Sequence, residues 1–155
     1  MSFIVVAVIF YFLGSFQGSL QALRSTNLLW HFTDYTIAHS HMTMYGIITF
    51  FLWGMAYGLA PRLSGKEPNT FLTNMHFWLA LLGLIVYSTS LIIGGTERGM
   101  SWLADKPFLE SVSLMAPYWL WRSLGGAMMF AAHLIFGWNM YRMFKTKKII
   151  SSYES

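Results

Sequence analysis

Cysteine is absent from the chain, which excludes a disulfide framework, thiolate zinc sites, iron–sulfur clusters and a CxxCH haem attachment. Any metal held here must use His, Met or oxygen ligands. Charge is scarce as well: Asp, Glu, Lys and Arg make up 10% of the 155 residues, against about 25% in a typical soluble protein. With 55% hydrophobic residues, that composition excludes an ordinary soluble domain. No cleavable signal peptide is expected from Met1-Ser2-Phe3, which brings no positive charge and is followed by no small-residue cleavage site. The net charge of +4 does not point to nucleic acid, since the basic residues gather at the ends of apolar runs, where membrane topology accounts for them.

Four such runs, residues 3–23, 36–60, 71–94 and 118–144, reach the ~20 residues that a helix needs to cross a bilayer core. The expectation is an all-α integral membrane protein with four transmembrane helices in one membrane domain, 1–155, joined by polar linkers at 24–35, 61–70 and 95–117. With the amino terminus inside, Arg62, Lys66, Arg142, Lys145, Lys147 and Lys148 face only Glu67 and Glu154 on that side. Outside, Arg24, Arg98, Lys106 and Arg122 are balanced by Asp34, Glu97, Asp105 and Glu110. The basic excess therefore lies inside, which predicts both termini in the cytoplasm. Trp30, Trp119 and Trp121 then fall near the outer interface, where aromatic rings prefer to sit.

The first run is the least suited to lipid. Ser15, Gln17, Ser19 and Gln21 alternate through its second half, with Gly14 and Gly18 four apart. Small residues at that spacing let helices approach closely, and the polar groups need partners within protein. The second run carries Ala38-His39-Ser40-His41. A histidine inside a membrane span is costly without a partner or a task. At about 100° per residue, two histidines two positions apart point to opposite sides of the helix. They are badly placed to chelate one metal, which favours the i, i+4 spacing. They are well placed to ligate two cofactors, one on each side, and neutral imidazole is a common axial ligand of haem iron. The alternative is that each histidine hydrogen-bonds a neighbouring helix.

The stretch Trp30-His31-Phe32-Thr33-Asp34-Tyr35-Thr36-Ile37-Ala38-His39-Ser40-His41 resembles the tenth helix of haem-copper oxidase catalytic subunits. Ser15-Phe16-Gln17-Gly18, Ala22-Leu23-Arg24-Ser25-Thr26-Asn27, Asn74-Met75-His76-Phe77-Trp78-Leu79, Gly95-Thr96-Glu97-Arg98-Gly99-Met100-Ser101-Trp102 and Arg122-Ser123-Leu124-Gly125-Gly126-Ala127 extend the likeness over nearly the whole chain, towards the cbb3-type cytochrome c oxidases. The resemblance implies the carboxy-terminal four helices of a twelve-helix fold in a bacterial cytoplasmic membrane. It implies that His39 is the axial ligand of a high-spin haem b and His41 an axial ligand of a low-spin haem b. Asn27, His31 and Arg122 would lie by the haem propionates, although Arg122 reads equally as an interfacial anchor that snorkels to water, and His31 as a simple loop histidine. Gln17 departs from the family pattern: a Glu is common there, and a neutral amide is the weaker acceptor for the His39 imidazole. His76 reads as structural and His133 as a packing histidine with a helix partner. Glu97, Asp105 and Glu110 read as a solvated face or a contact surface for a partner bearing cytochrome c.

No complete catalytic centre is expected in these residues. In the family, earlier helices supply the second low-spin haem ligand, the copper ligands and a cross-linked tyrosine. The expected partners are therefore the remainder of the catalytic subunit, membrane-anchored c-type cytochrome subunits, a cytochrome c or similar donor, and the bilayer. The length and the apolar run at Met1 suggest a fragment or a split subunit. The complete enzyme would reduce oxygen to water and pump protons. Two other readings are a nitric oxide reductase catalytic subunit, which shares the His-x-His helix, and a non-catalytic membrane haem-binding or assembly protein.

Overall fold

The computed structural model describes residues 2–145, and all of the regular structure among them is helical. Lys147, Lys148 and Glu154, used in the charge count, lie outside the described residues, as does the carboxy terminus.

Helix α1 (Ser2–Ala22) is followed by a short helix α2 (Arg24–Trp30), which forms within the linker expected at 24–35. Three residues on, Thr33 caps the next helix by accepting the Tyr35 backbone N–H on its hydroxyl, and Asp34 sits in the first turn, where a carboxylate suits the helix dipole. The helix then runs without a break through α3 (Asp34–His41), a π-helical segment (Met42–Thr49) and α4 (Phe50–Ser64). The widened turn suits the Thr49 hydroxyl, which donates to the carbonyl of Met44, five residues back. Gly65 ends α4 in the left-handed conformation at φ 64°, its N–H bonded to Pro61 O, the usual reason for a glycine at this place.

Asn69 caps α5 (Thr70–Leu103) by accepting the Leu72 N–H. At 34 residues and 1.5 Å per residue, α5 is about 51 Å long, longer than the bilayer core. It carries on well past residue 94, where the sequence marks the end of the run, and the expected 95–117 linker shrinks to a four-residue connection before α6 (Phe108–Lys145). Two glycines account for this continuation. A methyl group at Gly95 would collide with the Tyr35 backbone, and one at Gly99 with the Leu29 carbonyl. Bare glycine lets the carboxy-terminal end of α5 lie flush on α2 and α3, and that packing offsets the low helix propensity of glycine.

Helices α5 and α6 form an antiparallel hairpin. Its contacts run in opposite order along the two helices: Trp102 with Ser111, Gly94 with Tyr118, Gly83 with Gly125, and Thr73 with Asn139. At the crossing, a Cβ on Gly83 would stand 2.9 Å from Gly125 O, and one on Gly125 2.7 Å from Gly83 O. This is close backbone approach through small residues, as in other membrane helix pairs. The core between the helices is built from Phe3, Phe10, Ala38, Phe50, Trp53, Leu84, Leu91 and Ala132. Large apolar side chains such as Phe12, Phe16, Leu120 and Phe130 face outward.

Among the described residues, three helices are both long and apolar enough to cross a membrane: Ser2–Ala22, Asp34–Ser64 and Thr70–Leu103. Helix α6 is the longest at 38 residues, but Arg122, His133 and Asn139 lower its apolar character. Length and composition thus mark three spans where the sequence reading expects four.

Candidate functional site

His39 and His41 leave the same helix towards different neighbours. His39 turns to α1. Its Nδ1 lies 3.3 Å from Gln17 Oε1, and because an amide oxygen can only accept, Nδ1–H is the donor. The imidazole is thereby held as the Nδ1–H tautomer, with the lone pair left on Nε2. The ring rests over Gly18, where a Cβ would come within 3.0 Å of Cε1 and 3.4 Å of Nε2. It borders an open groove of about 490 Å³ formed by α1 and the His39 helix, with Gly14, Ser15, Ser19 and Thr43 also on its walls. Gln17 is buried at 7% exposure, so the polar stripe of α1 does face protein at this point.

His41 turns to α5. Its Nδ1–H donates to the Ile37 carbonyl one turn back at 2.9 Å, which again leaves Nε2 with the lone pair. Its ring packs 4.4 Å from the Tyr87 ring. The 200° separation expected from helical geometry is therefore realised in contacts to α1 on one side and α5 on the other. Both imidazoles are partly buried, and among the described residues the Nε2 of each has no hydrogen-bond partner. That donor set fits axial ligation of iron, in which the nitrogen not bound to metal is held by an oxygen acceptor.

The remaining candidates separate. Arg122 is partly buried, and its guanidinium lies 5.9 Å from the Tyr87 ring, the ring that also packs on His41. Asn27 Nδ2 donates to Gln21 O at 3.1 Å, while Gln21 Nε2 donates to the Thr36 hydroxyl at 2.7 Å. His31 is exposed and contacts the Phe32 ring at 4.0 Å. These residues are not brought into one cluster. His76 is wholly enclosed, its Nδ1 3.1 Å from Tyr57 Oη and its ring flanked by Phe3, Trp53 and Phe136. His133 donates Nδ1–H to Met129 O of its own helix and packs beside Tyr45 and Trp53.

Two features were not found by sequence reasoning. Asp34, treated above as an outer-loop charge, is 5% exposed and forms an ion pair with Arg98 Nη1 at 3.0 Å. Trp119 Nε1–H also reaches the carboxylate, at 3.5 Å, and the Arg98 guanidinium packs on Trp102. This cluster ties the start of the His39 helix to α5 and α6. At the other end, fully enclosed Asn139 accepts Asn69 N–H on Oδ1 at 2.9 Å and donates from Nδ2 to Asn69 O and to the Thr73 hydroxyl. Tryptophan and buried-polar composition hint at such clusters, but neither pairing has a local signal.

The sequence model of the family described as cytochrome C and quinol oxidase polypeptide I matches residues 1–128. The cbb3-type cytochrome c oxidase subunit CcoN1 of Stutzerimonas stutzeri is 34% identical over 155 aligned residues, covering 94% of this chain and 33% of the relative. A cytochrome c oxidase subunit 1 homolog of Agrobacterium tumefaciens (strain T37) is 34% identical over 145, covering 88% of this chain and 27% of the relative. In fold, the chain superposes on a heme-copper terminal oxidase dimer solved by cryo-EM with a TM-score of 0.76 and 19% identity, over 96% of this chain and 27% of that one. The chain thus spans a third or less of the length of the proteins it matches. A family match over most of its length and relatives 34% identical over most of the chain agree: the chain belongs to the cytochrome c and quinol oxidase polypeptide I family.

Proposed function

We propose that this chain is the His-x-His portion of the catalytic subunit of a cbb3-type oxidase, with His39 the axial ligand of a high-spin haem b and His41 an axial ligand of a low-spin haem b. The observation that carries this reading is the pair of imidazoles on opposite sides of one membrane helix. Each has Nδ1–H committed to an oxygen, Gln17 Oε1 or Ile37 O, and Nε2 free to bind iron. The haems, when bound, supply one-electron chemistry and oxygen binding. The chain's own residues orient the ligands. Gln17 holds the His39 ring against rotation and fixes its tautomer. Gly18 leaves room for that ring beside α1. The Ile37 carbonyl does for His41 what Gln17 does for His39. Arg122, whose guanidinium lies by the Tyr87 ring, would meet a propionate of the low-spin haem by a charge-assisted contact.

Copper, its ligands and the second axial histidine would come from the remainder of the catalytic subunit. Electrons would arrive through membrane-anchored c-type cytochrome subunits from a cytochrome c or similar donor. The complete enzyme would reduce oxygen to water and move protons across a bacterial cytoplasmic membrane. In that setting α6 is the fourth span despite its polar residues, because a helix that packs along α5 and against haem need not be apolar all round, and both termini are cytoplasmic. Reporter fusions test the topology: one at Lys66 should read cytoplasmic and one at Lys106 periplasmic, and the reverse pattern would overturn it. The ligand assignment is tested by purifying the complete oxidase with this chain in place and counting haems. Two haems b that both persist after removal of His39 and His41 would refute the reading. Turnover with nitric oxide and none with oxygen would point instead to a nitric oxide reductase.

A further inference from the structure

We infer that Tyr87 is a positioning residue for His41, setting the plane of its imidazole. The inference rests on the reading of His41 as a haem ligand. The hydrogen bond from His41 Nδ1–H to Ile37 O fixes which ring atom faces the helix, but the ring can still swing about that bond. What blocks the swing is the Tyr87 ring, 4.4 Å away centre to centre and tilted by 37°.

Tyr87 itself cannot retreat. It is 7% exposed, and α6 grips its backbone: a Cβ on Gly125 would stand 2.7 Å from Tyr87 N and 3.0 Å from Tyr87 Cα. The Gly83–Gly125 crossing of α5 and α6 therefore delivers the phenol to a fixed place under His41. Arg122 follows from the same geometry, because it lies one turn before Gly125 and Gly126 on α6 and its guanidinium sits 5.9 Å from the Tyr87 ring. Among the described residues Arg122 makes no ion pair. One aromatic ring thus contacts both a cation and the histidine whose orientation it sets. A ligand's plane and the groups around it tune the metal without touching it.

The test uses the complete assembled oxidase with Tyr87→Phe, Tyr87→Leu and Tyr87→Met, read by electron paramagnetic resonance of the oxidised low-spin haem and by haem content. Tyr87→Leu and Tyr87→Met should shift the principal g values of the low-spin haem, since the imidazole plane is released. Tyr87→Phe, which keeps the ring, should retain the parent values. The high-spin haem should be unaffected in all three. Parent g values in the Leu and Met variants, with both haems present, would overturn the inference. So would loss of both haems together in those two variants, because Tyr87 would then serve packing alone. Failure of the underlying reading is seen separately, as retention of the low-spin haem in His41→Ala.

Discussion

The side-chain oxygen of Gln17 lies 3.3 Å from Nδ1 of His39, and it joins the polar stripe of α1 to the first histidine of the His-x-His pair. The contact spans two helices and leaves His39 Nε2 as the atom able to bind a metal. It gives a direct handle on the chemistry of that nitrogen, because the strength of the acceptor on Nδ1–H sets how much electron density the ring passes on.

Replacing Gln17 by Glu should lower the reduction potential of the high-spin haem in the complete enzyme. An ionised carboxylate accepts the Nδ1–H more strongly than an amide, gives the imidazole more anionic character and favours the ferric state. The shift should be on the order of tens of millivolts, with the low-spin haem nearly unchanged. Redox titration of the two haems measures it. An unmoved high-spin potential at every pH, in a variant with full haem content, would separate Gln17 from His39.

Gly18→Val should cost the high-spin haem selectively. The added Cβ would lie 3.0 Å from His39 Cε1 and 3.4 Å from Nε2, and the branched side chain cannot be cleared by a small ring movement. Carbon monoxide difference spectra of the reduced enzyme should lose most of their amplitude. Gly18→Ala, with one methyl to accommodate, should keep part of it. A parent spectrum in the valine variant would mean that His39 does not sit over Gly18.

Asp34 and Arg98 should be strongly coupled. Asp34→Asn leaves the Arg98 guanidinium without its partner in a site where the two side chains are 7% and 15% exposed, which costs about 3–5 kcal/mol for a buried pair. Arg98→Gln should cost a similar amount, and the double variant less than the sum. Thermal unfolding of the detergent-solubilised complex gives the cycle. Additive effects would contradict an ion pair at this position.

Asn139→Leu should destabilise the α5–α6 hairpin at its open end by about 1–3 kcal/mol, the usual cost of an unsatisfied buried polar group. The Asn69 N–H loses its acceptor, and the Asn69 carbonyl and Thr73 hydroxyl lose a donor. The readout is again the unfolding midpoint, with haem spectra unchanged because the site lies at the opposite end from His39.

The paired histidines and their divergence were legible in the sequence because helical periodicity alone separates positions 39 and 41. Gln17 stood out in the polar run of α1, but its place beside His39 came from the family resemblance, since Ser15 and Ser19 of the same run are exposed. Helix α2 was not, since its seven residues carry no apolar repeat. The continuation of α5 beyond residue 94 was hidden by the two glycines, which read as a break but serve close packing against Tyr35 and Leu29. Asp34 and Arg98 are 64 positions apart, and the charge count placed both in outer loops. Nothing in Met42–Thr49 marks a π-helical segment: its mix of apolar residues with Thr43, Tyr45 and Thr49 is ordinary for a membrane helix, and the extra residue per turn is a property of the backbone. The part Tyr87 plays beside His41 depends on the glycine crossing of α5 and α6, which only the fold brings together.

If one helix serves two haems, His39→Ala and His41→Ala in the complete assembled enzyme should have different spectra. Loss of His41 should remove the low-spin haem signal and leave carbon monoxide binding in place. Loss of His39 should abolish the high-spin, carbon monoxide-binding haem and leave the low-spin signal. If both variants lost the same haem and kept the other intact, the account would be contradicted.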